Sequence, residues 1–422
     1  MYRKTTFDNG LRVITHRMPG RQSVAVGAWI TTGGRYESRE KKGISHYLEH
    51  MVFKGTKHYS CRQLKESIEG VGGTLNGFTS EELTCYLAKL PSRYLSRGVH
   101  ILTDMVVNPL LPPADVRREK QVILEELKMY RDQPQSHVYD LLDDLLWPGQ
   151  PLGEPVIGTV ESVTAIDRRA LLQFKQQYYS PSNIVVSAAG DLKHDALLSR
   201  LKKAFGSLRT YTVNAFMQAQ ESQSEPRLTV SHKDTEQSHL ALGFHAFKRD
   251  HPLRHALAML HILLGGNMSS RLFNELREKR GLAYEIGTGI KRFHDTGAFI
   301  VHAGIDNRKV CEALEVILKE LYRVGRVLVS PEEFRRTREY YRGQLMLALE
   351  DTLEHMLWVG ESAAALNRVY TLQEIIREID RVKRENLREV ARMVFSRDKI
   401  NCALIGPLAR QKSCIAGVLR PR

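Results

Sequence analysis

The chain of 422 residues exceeds what one ordinary core organises and suffices for two domains of about 200 residues each. Its 42% hydrophobic and 26% charged residues are the make-up of a soluble globular protein, which excludes a disordered or low-complexity chain. The formal net charge of +14 is spread over both halves and interspersed with acids, so it favours a solvated basic surface and no nucleic-acid partner.

The N-terminus opens directly into polar alternation, Thr5-Thr6-Phe7-Asp8-Asn9-Gly10-Leu11-Arg12-Val13-Ile14-Thr15, where a signal peptide would need an apolar block. No apolar run reaches membrane-spanning length, so no membrane partner is expected. Five scattered cysteines (Cys61, Cys85, Cys311, Cys402, Cys414), odd in number and without a C-x-x-C pair, point away from a disulfide framework or a thiolate zinc site. The expected location is a bacterial-type cytoplasm, ahead of an organelle matrix.

In chain order, strands are predicted at about 3–18 and 23–33, then helices at 42–54 and 61–69. A strand pair follows at 73–90, closed by Pro91, with helices at 92–107 and 113–132. Past a polar Gln/Ser/Glu stretch, strands are predicted near 227–247 and 283–305, with helices near 251–265, 269–279, 307–325 and 331–368. Strands that run together and then give way to helices indicate an α+β fold. A repeat divides the chain: Ser23–Trp29 is echoed 215 residues later by Ser238–Phe244. Ile166-Asp167-Arg168 and the strand Asn183–Gly190 recur at Ile379-Asp380-Arg381 and Lys399–Gly406, displaced by 213 and 216. The expectation is two homologous halves, each an antiparallel-rich sheet with helices packed on one face: 1–210, a linker over 211–227, and 228–422.

The stretch His46-Tyr47-Leu48-Glu49-His50 carries chemistry. On a helix the two histidines, four residues apart, project from one face with Glu49 beside them. H-x-x-E-H is a zinc pattern in which two imidazoles hold the ion and the glutamate works on water. A third ligand is needed. In the helix at 113–132, Glu119 and Glu126 stand two turns apart and share a face, and a carboxylate from it would leave zinc one open position.

This combination resembles the pitrilysin-type (inverzincin, M16) family of zinc metallopeptidases, in its short-chain branch, that of the mitochondrial processing peptidase beta subunit and its bacterial homologues. The resemblance spans essentially the whole chain. It implies one Zn2+ per chain held by His46, His50 and Glu126, with Glu49 as general base and Glu119 as catalytic support; the adjoining Glu125 is out of register. Gly72-Gly73-Thr74-Leu75-Asn76-Gly77-Phe78-Thr79-Ser80 is similar to the family's substrate-binding edge strand, which assigns Asn76 and Gly77 to the peptide. Gly77 stands where the family commonly has alanine. Gly265–Tyr284 is similar to a second signature, whose Arg277 and Tyr284 bind substrate backbone. The second half lacks a zinc motif: aligning Arg117-Arg118 with Arg335-Arg336 sets Gln344 opposite Glu126, and His255 and His261 are core or surface residues. The resemblance further implies an endopeptidase acting on unfolded, targeting or signal-type peptides in a closed chamber, completed by a homodimer or by a homologous subunit. The alternative is a non-catalytic core or scaffold subunit of the same family.

Overall fold

The computed structural model describes residues 2–420. It is an α+β protein of two compact units, each built on one mixed sheet. The first unit comprises the chain up to Leu127, Pro155–Met217 and Leu345–Leu372; the second comprises Lys128–Glu154, Gln218–Gln344 and the chain from Gln373.

In the first unit the strands are β1 (Tyr2–Thr6), β2 (Arg12–Arg17), β3 (Ser23–Ile30), β4 (Thr74–Thr79), β5 (Thr84–Pro91) and β6 (Ile184–Gly190). They lie in the order β1-β2-β6-β3-β5-β4, all antiparallel except β2 with β6. In the second, β7 (Arg227–Ser231), β8 (Gln237–Ala246), β9 (Ala283–Arg292), β10 (Gly297–Asp306) and β11 (Asn401–Ile405) lie in the order β7-β11-β8-β10-β9. Only β7 and β11 run parallel. The second sheet thus reproduces the first from β2 to β4.

The first half of the sequence contributes helices α1 (Ile44–Val52), α2 (Cys61–Glu69), α3 (Leu95–Val107), α4 (Pro113–Asp132), α5 (Pro134–Leu146), α6 (Val160–Ala165), α7 (Arg168–Tyr178) and α8 (His194–Phe205). The second contributes α9 (Arg254–Leu264), α10 (Val310–Arg326), α11 (Pro331–Ala348), α12 (Thr352–Leu366), α13 (Leu372–Arg381), α14 (Arg384–Val394) and α15 (Lys412–Leu419). Residues alternate along β3, so its two faces serve two cores. Val24, Val26, Ala28 and Ile30 pack with α1, α3 and α7, whereas Ala25 and Trp29 pack beneath Met356, Val359 and Ala363 of α12. The opposite face of the first sheet is therefore covered by one helix from the second half of the sequence. The second unit uses α5 in the same way: Val138, Leu142 and Leu146 pack on Ala241, Ile300 and Ala403. This exchange moves 128–154 and 345–372 away from the sequence-adjacent halves that a division at 211–227 assigns them to, although the passage at Met217/Gln218 falls in that stretch.

Close approach of α12 to the sheet depends on two glycines. A Cβ on Gly27 would lie 2.5 Å from Met356 Sδ, and one on Gly360 would lie 1.9 Å from Trp29 Nε1. Under α5 a glycine likewise permits close approach: a Cβ on Gly243 would lie 2.9 Å from Leu142 Cδ1. Val24 pairs with Gly190 of β6 and His239 with Ile405 of β11, which sets Ser238 beside Gly406; with Gly190 matched to Gly406, Val24 corresponds to Ser238, a displacement of 214. The sequence alignment at 215 is one residue out, a slip that would exchange the two faces of the strand.

Two helix predictions are also corrected. The run 331–368 breaks at Leu349–Asp351, where the Asp351 carboxylate accepts from Leu353 N (2.7 Å) and Glu354 N (3.2 Å) and starts α12 as a new helix. Helix α5 lay outside the prediction, although Pro134 at its first turn and apolar Val138, Leu141, Leu142 and Leu145 at helical spacing mark it. Cys311 of α10 and Cys414 of α15, 103 residues apart, are disulfide-bonded with a Cα–Cα distance of 6.4 Å. This departs from the reading of the cysteine spacing, which is blind to pairs brought together by packed helices; Cys61, Cys85 and Cys402 are free. Among the described residues no helix is long and apolar enough to cross a membrane.

Candidate metal centre

Helix α1 is positioned from both ends of its surroundings. Gly43, at φ +90°, turns the chain into the helix where a side chain would strike the Ile157 carbonyl. The buried Glu37 carboxylate accepts from Gly43 N (2.8 Å) and Ser45 N (2.7 Å), which satisfies open donors at the helix start. From mid-helix, the Tyr47 hydroxyl donates to the Val116 carbonyl of α4. That bond fixes α1 against the helix that carries both glutamates.

On α4 the buried positions are Val116, Glu119, Ile123 and Leu127, a single stripe at helical spacing. A carboxylate thus occupies an otherwise apolar face. It is not left alone: Glu119 Oε2 lies 3.3 Å from His50 Nδ1, and its Oε1 lies 2.5 Å from Lys54 Nζ. With Nδ1 turned to Glu119, His50 presents Nε2 toward Glu126 Oε2, 3.6 Å away. His46 Nε2 lies 3.9 Å from the same oxygen, and the two rings meet edge-on with centroids 4.6 Å apart.

One ligand atom from each of His46, His50 and Glu126 lies within 4.8 Å of the others. Two ligands on one tetrahedral zinc, with bonds near 2.1 Å, stand about 3.4 Å apart, so the trio needs only small adjustments to close on the ion. Two imidazoles and one carboxylate are also a donor set of open, catalytic zinc sites. Burial and the neighbouring His50 push the His46 pKa down to about 3, which keeps its ring neutral and able to donate a lone pair. Its buried Nδ1 has no hydrogen-bond partner among the described residues. The residues present fit a zinc ion.

Glu49, 9% exposed, leaves the same helix on the side of β4. Thr79 Oγ1 donates to its Oε2 at 2.6 Å. Burial raises its pKa, and the bond from Thr79 and the proximity of His50 pull the other way. Burial also raises the pKa of Glu126. Four supporting residues escaped the sequence reading: Glu37, Tyr47, Lys54 and Thr79. Lys54 stands one helical step beyond His50, and Thr79 shares a strand face with Leu75 and Gly77, so helix and strand period were the available signals.

Strand β4 forms the outer edge of the first sheet and pairs only with β5. Ser80 N donates inward to Leu83 O at 2.8 Å, so the period of two turns the backbone groups of Leu75, Gly77 and Thr79 outward. The Gly77 amide is taken up by Asn76 Oδ1 at 2.9 Å, and Asn76 itself is exposed. On the inner side a Cβ at Gly77 would lie 3.1 Å from the Phe53 ring. In the second unit, Arg277 and Tyr284 meet: the guanidinium carbon lies 5.1 Å from the ring centroid, and 4.9 Å from that of Phe273. Arg277 stands on a π-helical turn, Phe273–Glu278, inside the predicted helix 269–279, and Tyr284 is the second residue of the edge strand β9 and is 72% exposed. Among the described residues His46, His50 and Glu126 are the one group of three or more His, Cys, Asp or Glu close enough together to hold a metal ion. His255 Nε2 lies 2.9 Å from Glu378 and His261 Nδ1 lies 2.7 Å from the Thr288 hydroxyl.

Residues 12–160 match the family model described as Insulinase (Peptidase family M16), and residues 165–341 match that of the Peptidase M16 inactive domain. The chain is 36% identical over 413 residues to the uncharacterized zinc protease YmxG of Bacillus subtilis (strain 168), covering 98% of this chain and 100% of that one. The chain belongs to peptidase family M16. A second M16 relative, the uncharacterized zinc protease Rv2782c of Mycobacterium tuberculosis, is 35% identical over 414 residues, covering 97% of this chain and 94% of its own. The M16 fold is shared with a protease from Helicobacter pylori (TM-score 0.90, 23% identity, 96% and 99% of the two chains). It is shared too with a chain of Complex III2 from Candida albicans (TM-score 0.84, 19% identity, 99% of each chain).

Proposed function

We propose that the chain is a zinc-dependent endopeptidase that hydrolyses unfolded peptides, including targeting or signal-type sequences. The convergence of His46, His50 and Glu126 on one small volume, with Glu49 beside it, carries this reading. When bound there, zinc supplies Lewis acidity toward a scissile carbonyl and toward water. The remaining work falls to side chains. Glu49 takes the proton of the attacking water and returns it to the leaving amine, and Thr79 fixes the orientation of its carboxylate. Glu119 holds the His50 ring and is itself balanced by Lys54.

The open edge of β4 receives the substrate as a further strand. Its outward backbone groups align a peptide without reading its side chains, with Asn76 and Gly77 at the centre. Arg277 and Tyr284 of a second copy, or of a homologous subunit, bind substrate backbone from the other wall of a closed chamber. Such a dimer admits extended chains and excludes folded ones.

Wild type and Glu49→Gln are compared for hydrolysis of an unfolded reporter peptide, with zinc measured in both. Hydrolysis lost with zinc retained is the expected result; equal hydrolysis removes Glu49 from the mechanism. The likeness to a Complex III2 chain favours a second reading, a non-catalytic core subunit. Intact His46, Glu49, His50 and Glu126 weigh against it, and protein purified without zinc or hydrolysis would reverse that balance.

A further inference from the structure

Away from the metal centre, the first unit contains a cavity of 430 Å³ between the ends of four elements. Val106 of α3, Leu172 and Lys175 of α7, Ile184 of β6 and Phe205 of α8 line it. The segment Leu208–Tyr211 contributes Arg209 and is tied down at both ends. Asn9 Nδ2 donates to Phe205 O (2.7 Å) and Leu208 O (3.3 Å), and Tyr211 N donates to Ser180 Oγ at 3.2 Å. The wall is therefore built, with its backbone groups engaged.

The lining is mainly apolar and holds two cations, Lys175 and Arg209, but no carboxylate. Lys175 Nζ donates to Val107 O at 3.0 Å, at the end of α3 where the helix carries partial negative charge. An ammonium has three donors, and capping α3 employs one of them. Burial lowers the Lys175 pKa to about 8. A partly desolvated cation facing apolar walls, without a counter-charge, is complementary to a ligand with an apolar body and one anionic head.

We propose that this cavity binds a small apolar carboxylic acid, with the carboxylate on Lys175, the exposed Arg209 as second cation, and the apolar body against Leu172, Leu208 and Tyr211. A fatty acid and the C-terminal residue of an apolar peptide share this chemistry. Decanoate and N-acetylphenylalanine separate the two sources, and decanol reports the apolar contribution alone.

The zinc-loaded, full-length chain is titrated with each by isothermal calorimetry. One acid is expected to bind saturably at one site, at least about tenfold more tightly than decanol, the worth of one charge-assisted hydrogen bond. Lys175→Met is expected to lose about the same factor. Because that change also removes the cap on α3, Arg209→Gln on the exposed segment tests the same charge independently, with a severalfold loss expected. Absence of saturable binding by either acid overturns the proposal. So does decanol binding as tightly as the acids, or affinity unchanged in both variants.

Discussion

Replacing Gly360 by alanine tests how the first sheet is closed by α12. A Cβ at this position would stand 1.9 Å from Trp29 Nε1, 2.3 Å from its Cε2 and 2.5 Å from Ser187 Oγ. Trp29 is 1% exposed, so the indole has no free space to enter. Either the helix lifts or the ring shifts, and the 2.8 Å bond from Trp29 Nε1 to Ser187 Oγ is the first casualty. A buried donor without a partner costs about 1–3 kcal/mol, and overpacking costs about 1–3 kcal/mol more. Alanine recovers about 1 kcal/mol of helix propensity over glycine. The net expectation is a destabilisation of about 3 kcal/mol. Gly343 in α11 is the control: nothing lies within 4 Å of its Cβ position, so Gly343→Ala keeps the propensity gain of up to about 1 kcal/mol. Urea unfolding followed by tryptophan emission and far-UV dichroism measures both. If Gly360→Ala matches wild type, or gains as Gly343→Ala does, the account of close approach is refuted.

The metal centre makes two further predictions. Glu126→Gln lowers bound zinc well below one per chain while Glu125→Gln retains it, as elemental analysis of purified protein measures; the reverse outcome would shift the ligand by one residue. Glu119→Gln weakens zinc by about 10–100-fold in competition with a chelator, because His50 loses the carboxylate that orients it, and unchanged affinity would deny Glu119 that part. Lys175 makes a prediction about pH. The unfolded chain keeps this proton up to about 10.5, whereas the folded chain releases it near 8, so between those values the unfolded state binds more protons and stability rises with pH. Unfolding midpoints across that window show this contribution in wild type, and Lys175→Met removes it.

The shared helix face of His46, Glu49 and His50 is legible because it is local. His46, Glu49 and His50 need only a helix, and Glu119 stands out as a charge on the apolar stripe of Val116, Ile123 and Leu127. The bond from Thr79 to Glu49 spans thirty residues and depends on the register of β4, which period alone leaves open. The exchange of α5 and α12 was not legible for a related reason. An amphipathic stripe announces that a helix will be buried but not against which sheet. Even the repeat is read one residue out, because Ser23 and Ser238 draw the alignment while the strand pairing matches Val24 with Ser238.

Tandem copies of a domain ordinarily drift apart freely, because each keeps its own stability. Here each copy surrenders a helix, so a fragment ending in 211–227 would carry α5 but leave the sheet face under Trp29 bare, and its complement would carry α12 but leave Ala241 and Ala403 bare. Neither piece would bury both faces of its own sheet. A substitution on α12, far along the sequence from the histidines, therefore acts on the sheet from which β4 and its Thr79 reach Glu49.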